Sequence, residues 1–179
     1  LWPMGWTGNE EGLWAFSNYG LNFKVFGNPD AGDVANMVGG LKIETVADGS
    51  SQTIFLAEKF RRCGDNGSLW GHGNWNVPWM PIFAYGNRAG NWNYSANCYP
   101  YLGQYAPSVG PAAVPQGNVK SGQYWVNCNA LGTQSIHSGI CNVLMGDGAV
   151  RGVSSSVSGN TWWAAVTPNG GDVLGQDWN

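Results

Sequence analysis

Three side chains suited to acid–base or metal chemistry stand out in this chain: Glu58, His137 and Asp147. A histidine and two carboxylates brought together can ligate a divalent cation or move protons. Nine residues separate His137 from the pair Asp147-Gly148, a distance that can place it near one end of a sheet. The same ring can equally serve structure, by bonding a backbone carbonyl or a carboxylate. Asp147-Gly148 reads first as a turn. Chain order alone does not show that the three residues meet.

Nucleophilic catalysis finds little support. Ser135 and Ser138 flank His137, but neighbours in sequence are not a triad. No serine sits in Gly-x-Ser-x-Gly, and no glycines are ordered as a phosphate-binding loop. A different chemistry is offered by Trp70, Trp75, Trp79 and Trp92, which lie among Asn, Gly and His72. Planar aromatic surfaces edged with amides hold sugars in many proteins. The alternative is that these rings pack an irregular segment, since each buries a large area.

The elements that must position these residues are short. The chain has 179 residues, 28 Gly, 11 Trp and only 11% charged residues. Glycine at this density excludes a long helix or coiled coil. An aromatic content of 13% argues against disorder. One compact, loop-rich, β-dominated domain remains. Net charge is −3, and eight Lys and Arg make no basic stripe, which speaks against nucleic-acid binding. Four cysteines, Cys63, Cys98, Cys128 and Cys141, point to disulfides in an oxidising compartment. The pairing Cys63–Cys98 with Cys128–Cys141 closes the shorter loops and is the expected one, though three pairings exist. No signal peptide or membrane span is visible, and the start Leu1-Trp2-Pro3-Met4 reads like an interior fragment.

Along the chain, residues 14–19 and 21–26 alternate large and small side chains and are expected as strands. Leu41-Lys42-Ile43 reads as a short extended piece, Asp48-Gly49-Ser50-Ser51 as a turn, and Thr53–Glu58 as a core strand. Glu58 ends that strand beside Lys59, Arg61 and Arg62, the densest basic cluster. Residues 63–127 form a long irregular insert with five of the Trp and six of the nine Pro. Cys141–Met145 and Ala149–Val153 flank Asp147-Gly148, the signature of a type I′ hairpin. Ser158 or Asn160 can cap a short helix over Thr161–Val166, stopped by Pro168-Asn169-Gly170. Trp162 and Trp163 cannot both face the core.

Several of these segments together resemble a known family. His137, nine residues, then Asp147-Gly148 is similar to the H-X9-DG signature of pilin-like proteins abundant in planctomycetes, also given a solute-binding label. Ser17-Asn18-Tyr19-Gly20 through Val25-Phe26-Gly27, Val46–Thr53 with Glu58, and Thr161–Ala164 through Leu174–Trp178 resemble its other motifs. Gly20 stands where Ala is usual, and Gln52 where Asn is usual. The resemblance implies a prepilin leader and apolar helix, absent from these 179 residues, which then correspond to the C-terminal globular domain. It also implies a layout similar to type II secretion pseudopilins, which often hold calcium in a C-terminal loop. Candidate oxygen ligands are Asp172, Asp177 and the Asp30–Asp33 turn, although none matches the twelve-residue calcium loop.

The expectation is therefore a β-rich α+β fold over residues 1–179: an antiparallel sheet of pseudopilin type, the insert, few short helices and disulfide pins. The expected function is non-enzymatic. The chain would be an exported extracellular or envelope subunit domain that meets other pilin-like subunits in a homo-oligomer or filament. It would touch the membrane only through the helix outside this chain. The alternatives are a glycan- or solute-binding module built on Trp70, His72, Trp75, Trp79 and Trp92, and a metal-dependent enzyme using Glu58, His137 and Asp147.

Overall fold

A computed structural model describes residues 2–3, 13–27, 39, 41–63, 66–71, 79–85, 109–117 and 128–178. Its centre is a five-stranded sheet of order β7-β3-β4-β8-β9. The strands are β3 (Tyr19–Asn22), β4 (Ile54–Glu58), β7 (Ile82–Phe83), β8 (Ile140–Met145) and β9 (Val150–Ser154). Two small ribbons flank it: β1 (Trp2–Pro3) with β2 (Leu13–Trp14), and β5 (Arg62–Cys63) with β6 (Asn66–Gly67). The helices are α1 (Phe23–Phe26) and α2 (Gly159–Val166). Among the described residues no helix is long and apolar enough to cross a membrane.

The β-rich α+β class holds, but the sheet is mixed. β3 pairs antiparallel with β4 and parallel with β7, so the expectation of an antiparallel sheet fails at one edge. That edge comes from within the insert. Ile82 and Phe83 are apolar enough to be buried, and Leu21 N donates to Pro81 O at 2.8 Å to seat them. The 21–26 segment is also not one strand. Asn22 ends β3 and caps α1, its Oδ1 accepting from Lys24 N at 2.9 Å. Its Nδ2 donates to Ile54 O and Val166 O, tying β3 to β4 and α2 from a fully buried position. Leu41–Ile43 likewise gives way to a single 3₁₀ turn over Ile43–Thr45.

Side chains alternate across the sheet, which sorts its faces. Ile54, Ala57, Cys141, Val143, Met145 and Val153 point to one side and form the core with Phe83 and with Trp162, Ala165 and Val166 of α2. Trp162 is buried and Trp163 is partly exposed, as the helical spacing requires. The register shifts between Ile54 and Leu56, which lets Ile54 and Ala57 both face inward across three residues. The opposite face carries Tyr19, Leu21, Leu56, Glu58, Ile140, Asn142, Leu144 and Val150, paired across the strands. At the β7 edge Phe23 of α1 packs with Met80, Ile82, Tyr85 and Leu131 in a second, smaller core cluster.

The β8–β9 hairpin forms where expected, with a different turn. Gly148 N donates to Met145 O, Met145 N donates to Ala149 O, and only Gly148 (φ 89°) has positive φ. Gly146 and Asp147 are therefore the turn centre and Gly148 a bulge, the type I plus left-handed glycine loop rather than type I′. Asp147 Oδ1 accepts from Ala149 N at 2.9 Å and fixes the exit. Gly148→Ala forces a Cβ into this left-handed conformation. Its expected cost is about 1 kcal/mol, read as a lower urea midpoint with an unchanged slope.

The expected disulfides are corrected. Cys63 bonds Cys128, and Cys141 is a buried free thiol. Cys141 lies on the core face of β8, whereas Cys128 opens the loop that packs beside β4. Short loop length was a poor guide because sheet topology decides which cysteines meet. Cys98 lies outside the described residues.

Candidate functional site: a carboxylate at the centre of a loop anchor

Glu58 is the last residue of β4, on the open face, with its side chain 11% exposed. His137 precedes β8 in the loop 128–137. Its Nε2 lies 2.9 Å from Glu58 Oε1. Oε1 also accepts from Asn142 Nδ2 at 3.0 Å. Oε2 accepts from Ser135 Oγ at 2.7 Å and from Asn142 N at 2.9 Å. A carboxylate offers about four lone-pair sites. All four contacts are internal, so Glu58 has no ordinary acceptor site left for a cation or a substrate proton.

The structure thus brings together two of the three residues singled out for chemistry. Asp147 is elsewhere. Asn142 near the start of β8 meets Glu58, whereas Asp147 lies beyond Met145, which pairs with Ile54 at the far end of β4. The expected polar site of Glu58, His137, Asp147 and Gly148 is therefore split along one strand. Ser135 donates to Glu58, not to His137, which is no nucleophile–base pair. No cluster of three His, Cys, Asp or Glu that could hold a metal occurs among the described residues.

Burial pushes the Glu58 carboxyl up. The hydrogen bonds from Asn142 N, Ser135 and the Asn142 side chain, with the charge of His137, outweigh it and hold the group below its ordinary value. Next along β8, burial and then the Glu58 charge push the Cys141 thiol up to about 12. That thiol is inert.

The anchor continues into the next residues. Lys59, from the densest basic cluster of the sequence, is buried, and its Nζ donates to Ala130 O and to Gly132 O. Gln134 accepts from Phe60 N at 3.0 Å through Oε1, and its Nε2 donates to Asn129 O and Gly132 O. Gln134 N donates to Glu58 O at 3.1 Å. Cys63–Cys128 closes the assembly covalently. Glu58, Lys59 and Phe60 together thus fasten the loop 128–137 to the sheet. Ser135, Asn142, Gln134 and Lys59 carried no motif; Ser135 drew notice only beside His137 and Lys59 only as part of a basic cluster.

Burial lowers the Lys59 amine from 10.5 to about 7. A neutral amine has two N–H donors, and two carbonyls receive them. Between pH 7 and about 9 the unfolded chain binds a proton on Lys59 that the folded one does not, and above 9 the raised Cys141 thiol offsets that difference. Stability therefore rises with pH across that window. Equilibrium unfolding at several pH values checks this, and Lys59→Met is expected to flatten the rise.

The calcium candidates do not converge. Asp177 Oδ2 accepts from Ser158 N at 2.7 Å and Oδ1 from Thr161 Oγ1 at 2.5 Å, at the N-terminus of α2. Those bonds hold its carboxyl at about 2. Asp172 Oδ2 accepts from Thr167 Oγ1 at the other end of α2, a helix of eight residues and so about 12 Å long. Asp48 closes the same region, receiving Gly170 N and Gly171 N at 2.8 Å each. Asp30 and Asp33 lie outside the described residues.

Of the aromatic candidates, Trp70 is 68% exposed and Trp79 is partly buried, with Trp79 O accepting from Leu69 N. His72, Trp75 and Trp92 lie outside the described residues. Trp70 stands at the rim of a groove of about 510 Å³ with Tyr19, Leu21, Phe26, Met80 and Ile82.

Residues 4–160 match the family described as SBP_bac_10, protein of unknown function (DUF1559). The chain belongs to that family. Neither the curated proteins nor the solved structures include a match to it. The matched span holds the whole anchor of this DUF1559 chain, from Glu58 to Asn142, and the five strands of its sheet.

Proposed function

We propose that this DUF1559 chain is a non-enzymatic, exported pilin-like subunit domain that recognises its neighbours through the open face of its sheet. The carrying observation is that face. Tyr19, Leu21, Ile140 and Val150 are 52%, 37%, 41% and 73% exposed, on adjacent or nearby strands. Leu21, Leu56, Leu144 and Val150 run in one row across four strands, and an exposed apolar row of this kind marks an interaction site. Rigid aromatic and β-branched side chains order at an interface with little loss of rotamer entropy. The buried motif residues support the same reading, because Glu58 is turned to internal bonding. The Cys63–Cys128 disulfide suits an oxidising compartment outside the cytoplasm.

Sedimentation velocity over a range of protein concentrations tests the proposal. Self-association of the wild-type protein is expected, with Val150→Asp shifting it to monomer by a tenfold or larger loss of affinity. A wild-type protein that stays monomeric and binds a second protein only through another surface would overturn it.

A further inference from the structure

At one end of the open face the surface is concave, and we infer that this groove beside Trp70 is a binding site for a compact, uncharged, apolar molecule. The inference rests on reading the open face as a recognition surface. It adds a ligand class that the glycan expectation does not share.

Four of the exposed large apolar side chains converge there: Trp70 at 68%, Tyr19 at 52%, Phe26 at 41% and Leu21 at 37%. The volume of about 510 Å³ falls within the usual range for small-molecule sites. The walls are pre-formed. Trp70 N donates to Ala15 O at 2.8 Å, and Leu21 N to Pro81 O at 2.8 Å, which fixes the two sides relative to β3. Phe26 is held edge-on against Phe55, with ring centroids 5.4 Å apart. A groove that does not have to be ordered on binding loses little entropy there.

The chemistry of the lining selects the ligand. None of the described residues lining the groove is charged, so among them an ionic ligand would find no partner for the hydration it loses. The Ser17 hydroxyl is already engaged, donating to Tyr19 O at 2.7 Å and accepting from Tyr19 N at 3.1 Å. Among the described lining residues that leaves the Tyr19 phenol as the side-chain hydroxyl able to serve a ligand. A sugar ring presents several hydroxyls that each need a partner, and this lining does not supply them. An aliphatic or aromatic molecule needs none. It gains contact with the Trp70, Phe26 and Met80 side chains.

Titration with Nile red, an uncharged apolar dye that brightens on leaving water, tests the assignment. The wild-type protein is expected to bind it saturably at one site. Trp70→Ala and Leu21→Asp are each expected to weaken binding tenfold or more, with thermal unfolding unchanged to show an intact fold. Val150→Asp, far across the sheet, should leave dye binding unchanged while it weakens self-association. Failure of the groove and failure of the assembly reading are thus distinguishable. Dye binding that is non-saturable, or unchanged in Trp70→Ala, would overturn the inference. So would displacement of the dye by neutral oligosaccharides, which would return the groove to a glycan site.

Discussion

Replacing Cys63 and Cys128 with serine lowers the stability of the folded chain by about 4 kcal/mol. The bond joins positions 65 residues apart. Closing a loop of that length removes much of the freedom of the unfolded chain, worth roughly 4 kcal/mol by loop-closure entropy. The enclosed segment holds six of the nine Pro of the chain. The cross-link also ends the loop 128–137 beside the strand it is anchored to. Urea unfolding with and without reductant measures the effect, which is expected as a fall of about 2 M in midpoint. Peptide mapping should recover Cys63 joined to Cys128. A peptide joining Cys63 to Cys98 would overturn the assignment.

Glu58→Gln is the second large effect, with an expected loss of about 3 kcal/mol. The carboxylate is nearly buried and accepts from Ser135, Asn142 N, Asn142 Nδ2 and His137. An amide is the same size but turns one acceptor atom into a donor. At that atom, donor then faces donor in a place water cannot repair. Charge-assisted bonds are also the stronger ones, and the variant loses them. His137→Ala should cost much less, about 1 kcal/mol or below, because that ring is 46% exposed and its pairing is screened. The contrast decides which partner matters: the carboxylate organises the anchor, and the histidine trims its edge. Acidification acts in the same direction, reversibly. The Glu58 carboxyl is held below its ordinary 4.5, so its contribution is present above that value and disappears as pH falls through the lower folded one. Glu58→Gln should remove this acid-side slope.

Much of the scaffold was legible in the residues. Thr53–Glu58 reads as a core strand because β-branched and aromatic types cluster there, and β4 covers Ile54–Glu58 of it. Asp147-Gly148 marks a hairpin because a left-handed residue is needed, and Gly148 supplies it. Ser158 caps α2 as its hydroxyl suggests, accepting from Thr161 N. What pattern could not show was pairing at a distance. Ile82-Phe83 is too short to announce a strand, and it becomes one only because β3 offers an edge. Lys59 looks like a surface cation until the loop carbonyls of Ala130 and Gly132 are seen to surround it. The same holds for the site. Glu58 and His137 were found by motif, but their partners Ser135 and Asn142 are ordinary polar residues that acquire a role only through the β4–β8 register. Asp147 shares the motif with His137 and not the place, since a strand of six residues separates them.

Glu58 and His137 of the motif anchor the loop 128–137 to the sheet. Native-state hydrogen exchange on Glu58→Gln tests this role. The amides of Asn142, Gln134 and Phe60 each donate to Glu58 or to a side chain of the anchor. They are expected to lose protection together and by more than Trp162 and Thr167 of the α2 region, which lose only the roughly hundredfold that a global loss of about 3 kcal/mol imposes. Unchanged protection at those three amides in a folded Glu58→Gln variant would contradict the account.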